Sequence, residues 1–144
     1  LVGAAVAGLE VPLELELIAL RRWVRPTALG RAVANLVDNA LAYGQPPLRI
    51  SLSDPTDQPD GFLITVADCG AGIPAERWSE ALEPFQRLDP ARGGSGHCGL
   101  GLAIAREVAI GHGGTLHGQQ LQPSTNAPQT FAVLLSGRSH RVTT

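Results

Sequence analysis

Two rhythms of hydrophobic and polar positions run along this chain. Around Arg31 to Gly44 (RAVANLVDNALAYG), the apolar residues Leu29, Val33, Leu36, Val37, Ala40 and Leu41 recur every three or four positions, the stripe of a core-facing helix. Pro26 and Thr27 precede that helix and help start it. Gly44 stops it, with Pro46 and Pro47 just beyond. A second helical rhythm covers Leu100 to His112, where Leu100, Ile104 and Val108 lie four apart and Gly113 and Gly114 end the run. A short helix is expected over Ala75 to Leu82. Elsewhere the period is two. Leu13, Leu15 and Leu17 alternate with Glu14 and Glu16, a half-exposed strand, and Leu48, Ile50 and Leu52 alternate with Arg49, Ser51 and Ser53. After the breaker run Asp54 to Gly61, Phe62, Ile64 and Val66 form one face of a third strand. Thr115 to Leu121 and Thr130 to Leu135 read as a closing hairpin. Pro84 to Cys98 has little periodicity and several glycines, which reads as a mobile loop. No repeat or domain boundary interrupts the pattern, so an α/β fold is predicted, one sheet with helices on one face, as one domain over residues 1–144.

Composition narrows the classes. A chain of 144 residues with 44% hydrophobic content can bury a real core. The formal net charge of −2 carries no polyanion signal, so nucleic acid is not expected as a partner. No apolar run approaches the ~20 residues of a membrane span. The opening LVGAAVAGL is too short and lacks the basic flank of a signal peptide. The chain has no Met and begins at Leu1, which reads as a segment of a longer protein. Cys69 and Cys98 form no metal-type pair by spacing and read as free thiols.

Three stretches carry candidate chemistry. Asn35 and Asn39, four apart, project from the same helix face at the border of the apolar stripe. Two amides there are either core groups satisfied by backbone or the lining of a pocket for something polar, such as a hydrated cation. In the third strand, the position following Phe62, Ile64 and Val66 on the same face is Asp68. That parity aims a carboxylate at the helix-covered side, where an unpaired charge is costly. Asp68 either caps the turn with backbone bonds or awaits a ligand N–H. Gly70 to Ile73 (GAGI) follows, with glycines that let a flat ligand approach closely. GLGLAIA, Gly99 to Ala105, leads glycines into a helix N-terminus, where free N–H groups and the helix dipole favour phosphate. Gly94, Gly96 and Gly99 spell G-x-G-x-x-G. No strand-like run precedes them, and Gln119 and Gln120 stand where a dinucleotide fold needs an acid.

NLVDNA, DCGAGI, EPFQR and GLGLAI, in this order, resemble the N, G1, F and G2 boxes of sensor histidine kinase catalytic domains, within the ATPase group of gyrase, MutL and the ninety-kilodalton heat-shock chaperones. The resemblance runs from about Pro26 to Leu135 and is greatest to the osmosensing transmembrane type. It implies a Bergerat-type two-layer α/β sandwich with a mixed sheet. It implies ATP and Mg²⁺ as cofactors, with Asn39 as the metal ligand and Asn35 near the phosphates as a candidate catalytic residue. The resemblance also implies that Tyr43 would join the nucleotide site. Asp68 would accept from the adenine amino group, Gly70 and Gly72 would make room for the base, and Ile73 would lie against it. Gly99, Leu100, Gly101 and Leu102 would offer backbone N–H groups to phosphate. Phe85 and Arg87 belong to the F box, and residues 84–98 would form an ATP lid.

The chain departs from the family pattern at Ala42, where a basic residue often reaches phosphate, leaving that contact to Arg87 or Arg92 or to no residue. It departs again at His97 and Cys98, where the G2 box usually begins with a further glycine, and before Pro26, where the chain is short. A phosphoacceptor His followed by Glu or Asp is missing: His97, His112, His117 and His140 all stand in other contexts. His112 falls in the C-terminal turn of its helix, where positive charge is favoured. The resemblance therefore implies a catalytic fragment whose phosphoacceptor lies on a separate dimerisation domain. The implied partners are that domain and a response regulator. The full protein would be a homodimer, with this part on the cytoplasmic side of a bacterial inner membrane and not inserted in it. The alternatives are a serine kinase of the anti-sigma type and a degenerate ATP-sensing module.

Overall fold

Strands β1 (Leu13–Leu17), β2 (Leu48–Ser53), β3 (Gly61–Asp68), β4 (Leu116–Leu121) and β5 (Thr130–Arg138) form one open sheet in the order β1-β2-β3-β5-β4. This computed structural model describes residues 2, 13–18, 20, 22–55, 57–58, 60–83, 101–121 and 130–139. β1 runs parallel to β2 and every other pairing is antiparallel, so the sheet is mixed. The expected alternation survives in the register. Leu48 and Ile50 of β2, Phe62, Ile64 and Val66 of β3, and Phe131, Val133 and Leu135 of β5 bury one face of the sheet. Leu63, Thr65 and Leu134 on the other face stay half-buried.

Two helices cover the buried face. Helix α1 (Pro26–Tyr43) turns Leu29, Ala32, Val33, Leu36, Val37 and Ala40 inward. It starts five residues before the predicted Arg31, because Pro26 occupies the first helical turn, where its missing N–H costs nothing. Leu41, predicted in the buried stripe, is 38% exposed. It lies about 100° round the helix from Ala40, past the edge of the contact surface. Helix α3 (Gly101–Gly111) packs along α1 through Leu102, Ala105 and Ala109, the last two fully buried. Between them, the predicted Ala75 to Leu82 helix is divided into a 3₁₀ turn (Ala75–Arg77) and a single turn of α-helix, α2 (Trp78–Ala81). β5 extends three residues beyond the predicted Leu135, to Arg138, because β3 offers partners as far as Gly61.

His112 sits where expected, at the C-terminal end of α3, and is buried there. Its ring is 1% exposed and meets Phe62 edge-on at 5.9 Å. Nε2 accepts the Arg25 backbone N–H at 3.1 Å and Nδ1 donates to Val108 O at 2.8 Å. With Nε2 accepting and Nδ1 donating, His112 clips the start of α1 to the end of α3, its ring turned on a carbonyl of the last helical turn. The residues leading into α1 are tied down at the same end. Arg22 Nε donates to Gly61 O at 2.9 Å and its guanidinium meets Asp54 at 3.2 Å. The Trp23 N–H donates to Ser139 Oγ at 2.7 Å.

Candidate functional site

At the opposite end, the C-terminus of α1 meets the C-terminus of β3, and Asp68 is held between them. Its parity is as predicted: it shares the helix-covered face and is 7% exposed. Both of its hydrogen bonds go to one oxygen. Oδ1 accepts the Gly70 N–H at 2.6 Å and the Gln45 N–H at 3.3 Å. Oδ2 has no hydrogen bond among the described residues. The backbone-capping reading of Asp68 is thus met through Oδ1. Burial raises the Asp68 pKa above the usual carboxylate range, and the Gly70 and Gln45 N–H bonds oppose that rise.

Glycines give the carboxylate its room. A Cβ on Gly44 would collide with the Asp68 carboxylate, and one on Gly70 would lie 2.8 Å from Oδ1. Gly72 has φ +74°, and a Cβ there would strike the Phe131 ring. Its glycine is therefore fixed by backbone conformation and packing. Ile73 packs against the hydrophobic core, half-buried. Phe131 pairs with Asp68 across β5 and β3, and Gln120 pairs with Phe131 across β4 and β5, so the three form one row on the helix-covered face. Trp78 lies against Phe131 at 6.3 Å between ring centroids.

The other end of the site lies along α1. Asn35 faces the N-terminus of α3, where a Cβ on Gly101 would lie 3.8 Å from the Asn35 Cβ. Among the described residues the Asn35 Nδ2 is buried with no hydrogen-bond partner, a donor beside the first described turn of α3. Asn39, half-buried, lies one turn further along, and Tyr43, also half-buried, ends the helix. Asn35 and Gly44 are about 13 Å apart along the axis at 1.5 Å per residue. Leu102 buries its side chain in the core, leaving only its backbone near the α3 N-terminus. Phe85, Arg87, Gly99 and Leu100, and the lid over residues 84–98, lie outside the described residues.

Residues 24–136 match the family described as histidine kinase-, DNA gyrase B- and HSP90-like ATPase. The chain belongs to this family. Its two-layer α/β sandwich is the family's fold. Among relatives, the chain is 46% identical to the sensor histidine kinase GtrS of Pseudomonas aeruginosa over 90 residues, 62% of this chain and 18% of that protein. It is 34% identical to the signal transduction histidine-protein kinase/phosphatase MprB of a Mycobacterium species (strain KMS) over 130 residues, 90% of this chain and 25% of that protein. The chain thus spans a quarter or less of these relatives' length. Among solved structures, the mycobacterial sensor histidine kinase MprB superposes with TM-score 0.65 at 31% identity, covering 89% of this chain and 84% of that one. The histidine kinase domain of the E. coli osmosensor EnvZ gives 0.64 at 29% identity, covering 99% and 84%.

The family's nucleotide brings a metal question. Among the described residues no group of three or more His, Cys, Asp or Glu can hold an ion. The donor chemistry instead suits a cation that arrives with ligands of its own. Asn39 offers one hard amide oxygen, and magnesium completes its shell with phosphate oxygens and water. Sequence reasoning missed Gly44, Gln45, Gln120 and Phe131. Gly44 carried a signal, but only as a helix stop. The others reach the site through strand register and a backbone N–H, which no local pattern records.

Proposed function

We propose that this domain binds Mg²⁺-ATP along α1 and presents the γ-phosphate to a histidine on a separate dimerisation domain, as the catalytic part of a two-component sensor histidine kinase. The observation that carries the reading is a pair of polar atoms unmet among the described residues, one where α1 ends and one midway along it. Asp68 Oδ2 lacks a donor where α1 ends, and Asn35 Nδ2 lacks an acceptor about 13 Å back along the axis. A nucleoside triphosphate offers complementary groups in that order: an exocyclic amine on the base and anionic oxygens on the phosphates. Asp68 accepts from the adenine amino group, while Gly44 and Gly70 leave the base space beside the carboxylate. Asn35 and the N–H groups opening α3 hold phosphate, with the helix dipole in favour. Bound magnesium would neutralise phosphate charge, with Asn39 as the protein's ligand. The chain's contribution to transfer is positioning and charge stabilisation, the histidine nucleophile coming from elsewhere. The response regulator, the homodimer and a cytoplasmic location beside the inner membrane belong to the same proposal. Among the described residues no helix is long and apolar enough to cross a membrane.

Titration with ATP and with GTP tests the base reading, and equal affinities would remove Asp68 from that role. Asn39→Ala should weaken binding more with Mg²⁺ than without it, whereas equal losses would exclude a ligand role. Mixing with the protein's own upstream helical domain and labelled ATP should give acid-labile phosphohistidine. Acid-stable phosphoserine would point to the serine-kinase class. ATP binding with no transfer to any acceptor would point to a sensing module.

A further inference from the structure

In the loop that follows Asp68, Cys69 is held by its N–H to Gln45 O at 2.8 Å, but the next three residues have little with which to anchor themselves. Gly70, Ala71 and Gly72 carry at most a methyl group between them. Anchors must therefore come from side chains elsewhere, and three reach the loop. The Asp68 carboxylate accepts the Gly70 N–H at 2.6 Å. The Phe131 ring lies where a Gly72 Cβ would be. Between these two, Gln120 of the edge strand β4 donates from Nε2 to Ala71 O at 3.0 Å. Gln120 stands in the cross-strand row with Phe131 and Asp68, so its amide reaches the loop from the far side of the Phe131 backbone.

The geometry points to Gln120 as a positioning residue for nucleotide binding: its amide fixes the Ala71 carbonyl and so holds the Gly70–Gly72 loop against Asp68. This inference rests on the proposed ATP reading. Fixing Ala71 O fixes the backbone between the Gly70 N–H, which orients the Asp68 carboxylate, and Gly72 at φ +74°. Without the clamp the glycines gain backbone freedom that binding must then remove, and the loss appears as weaker affinity. Of the three anchors Gln120 alone is separable. Asp68 is assigned to the base and Phe131 is in the core, whereas Gln120 is exposed on an edge strand. Because the clamp acts at the base end, its removal should weaken ATP, ADP and AMP by the same factor.

Gln120→Leu keeps the bulk and removes the donor. Gln120→Glu sets a carboxylate against the Ala71 carbonyl. Gln120→Lys restores a donor of similar reach. Calorimetric titration of the four proteins should show Gln120→Leu weakening all three nucleotides about three- to tenfold, the loss of one ordinary hydrogen bond. Gln120→Glu should be weaker still, and Gln120→Lys should recover to within about twofold of the wild type. Unfolding midpoints without nucleotide should agree within about 2 °C, as for substitutions on an exposed face. Wild-type ATP binding with undiminished affinity in Gln120→Leu, or no recovery in Gln120→Lys, overturns the clamp and leaves the ATP reading standing. A loss confined to ATP overturns it too, since the effect would then lie at the phosphates. A wild type that binds no adenine nucleotide overturns the ATP reading, and the clamp with it.

Discussion

Asp68 is asked to do two things with one carboxylate, and its two oxygens divide them. Oδ1 closes the turn through Gly70 and Gln45, and Oδ2, without a hydrogen bond among the described residues, is the oxygen the proposed function gives to the base. Asp68→Asn preserves the turn-closing oxygen and turns the other position into a donor facing the adenine amine. ATP affinity should fall by roughly ten- to a hundredfold, the loss of a hydrogen bond to a charged acceptor. The fold should not suffer. Burial raises the native pKa of Asp68 above its ordinary value. Between the ordinary and the raised value the native state holds the proton more tightly than the unfolded chain does. Stability therefore falls as pH rises through that window, and the penalty persists above it. The uncharged amide lacks that penalty, so the unfolding midpoint of Asp68→Asn at neutral pH should equal or exceed that of the wild type. Nucleotide affinity runs the other way. It needs the charged form and should decline on acidification from a pH above the range of an ordinary aspartate. A titration series in pH checks this, and Asp68→Asn should lack the decline.

At the scale of elements, α1 ties the two ends of the molecule together, and His112 secures its start. His112→Ala removes the acceptor for the part-buried Arg25 N–H, the Phe62 edge contact and the volume of a buried ring. It should cost about 2–5 kcal/mol in chemical denaturation while ATP affinity of the folded protein stays within about twofold. This histidine also marks the boundary of what the sequence discloses. The helices, the strands and the inward parity of Asp68 were legible because each rests on a period of two or of three to four, which the chain records locally. A local rule placed His112 at its helix end, whereas its burial and its clip depend on Arg25 and Phe62, 87 and 50 positions away. Leu41 was misread for a related reason. The period says which residues share a stripe, and only the partner surface decides how wide the stripe is. Phe131 and Gln120 come from β5 and the edge strand β4, far along the chain, and no spacing near Asp68 points to them.

At the scale of the whole molecule, the two ends of the sheet have separate tasks. Arg22, Trp23 and His112 work at the end where β3 begins, and Asp68 works where it ends. Arg22→Ala gives up the bond to Gly61 O and the half-exposed pair with Asp54. It should lower stability by about 1–2 kcal/mol, the Gly61 bond supplying most of it, and leave nucleotide affinity unchanged. A coupled loss of affinity in calorimetry would show that the ends are not independent. The separation also has a mechanical side. Helix α1 is 18 residues, about 27 Å at 1.5 Å per residue, and it is clamped at its first turn. The chain entering that clamp comes from β1, itself paired into the sheet, so a pull on the segment before Pro26 is shared by strand and helix rather than borne by either alone.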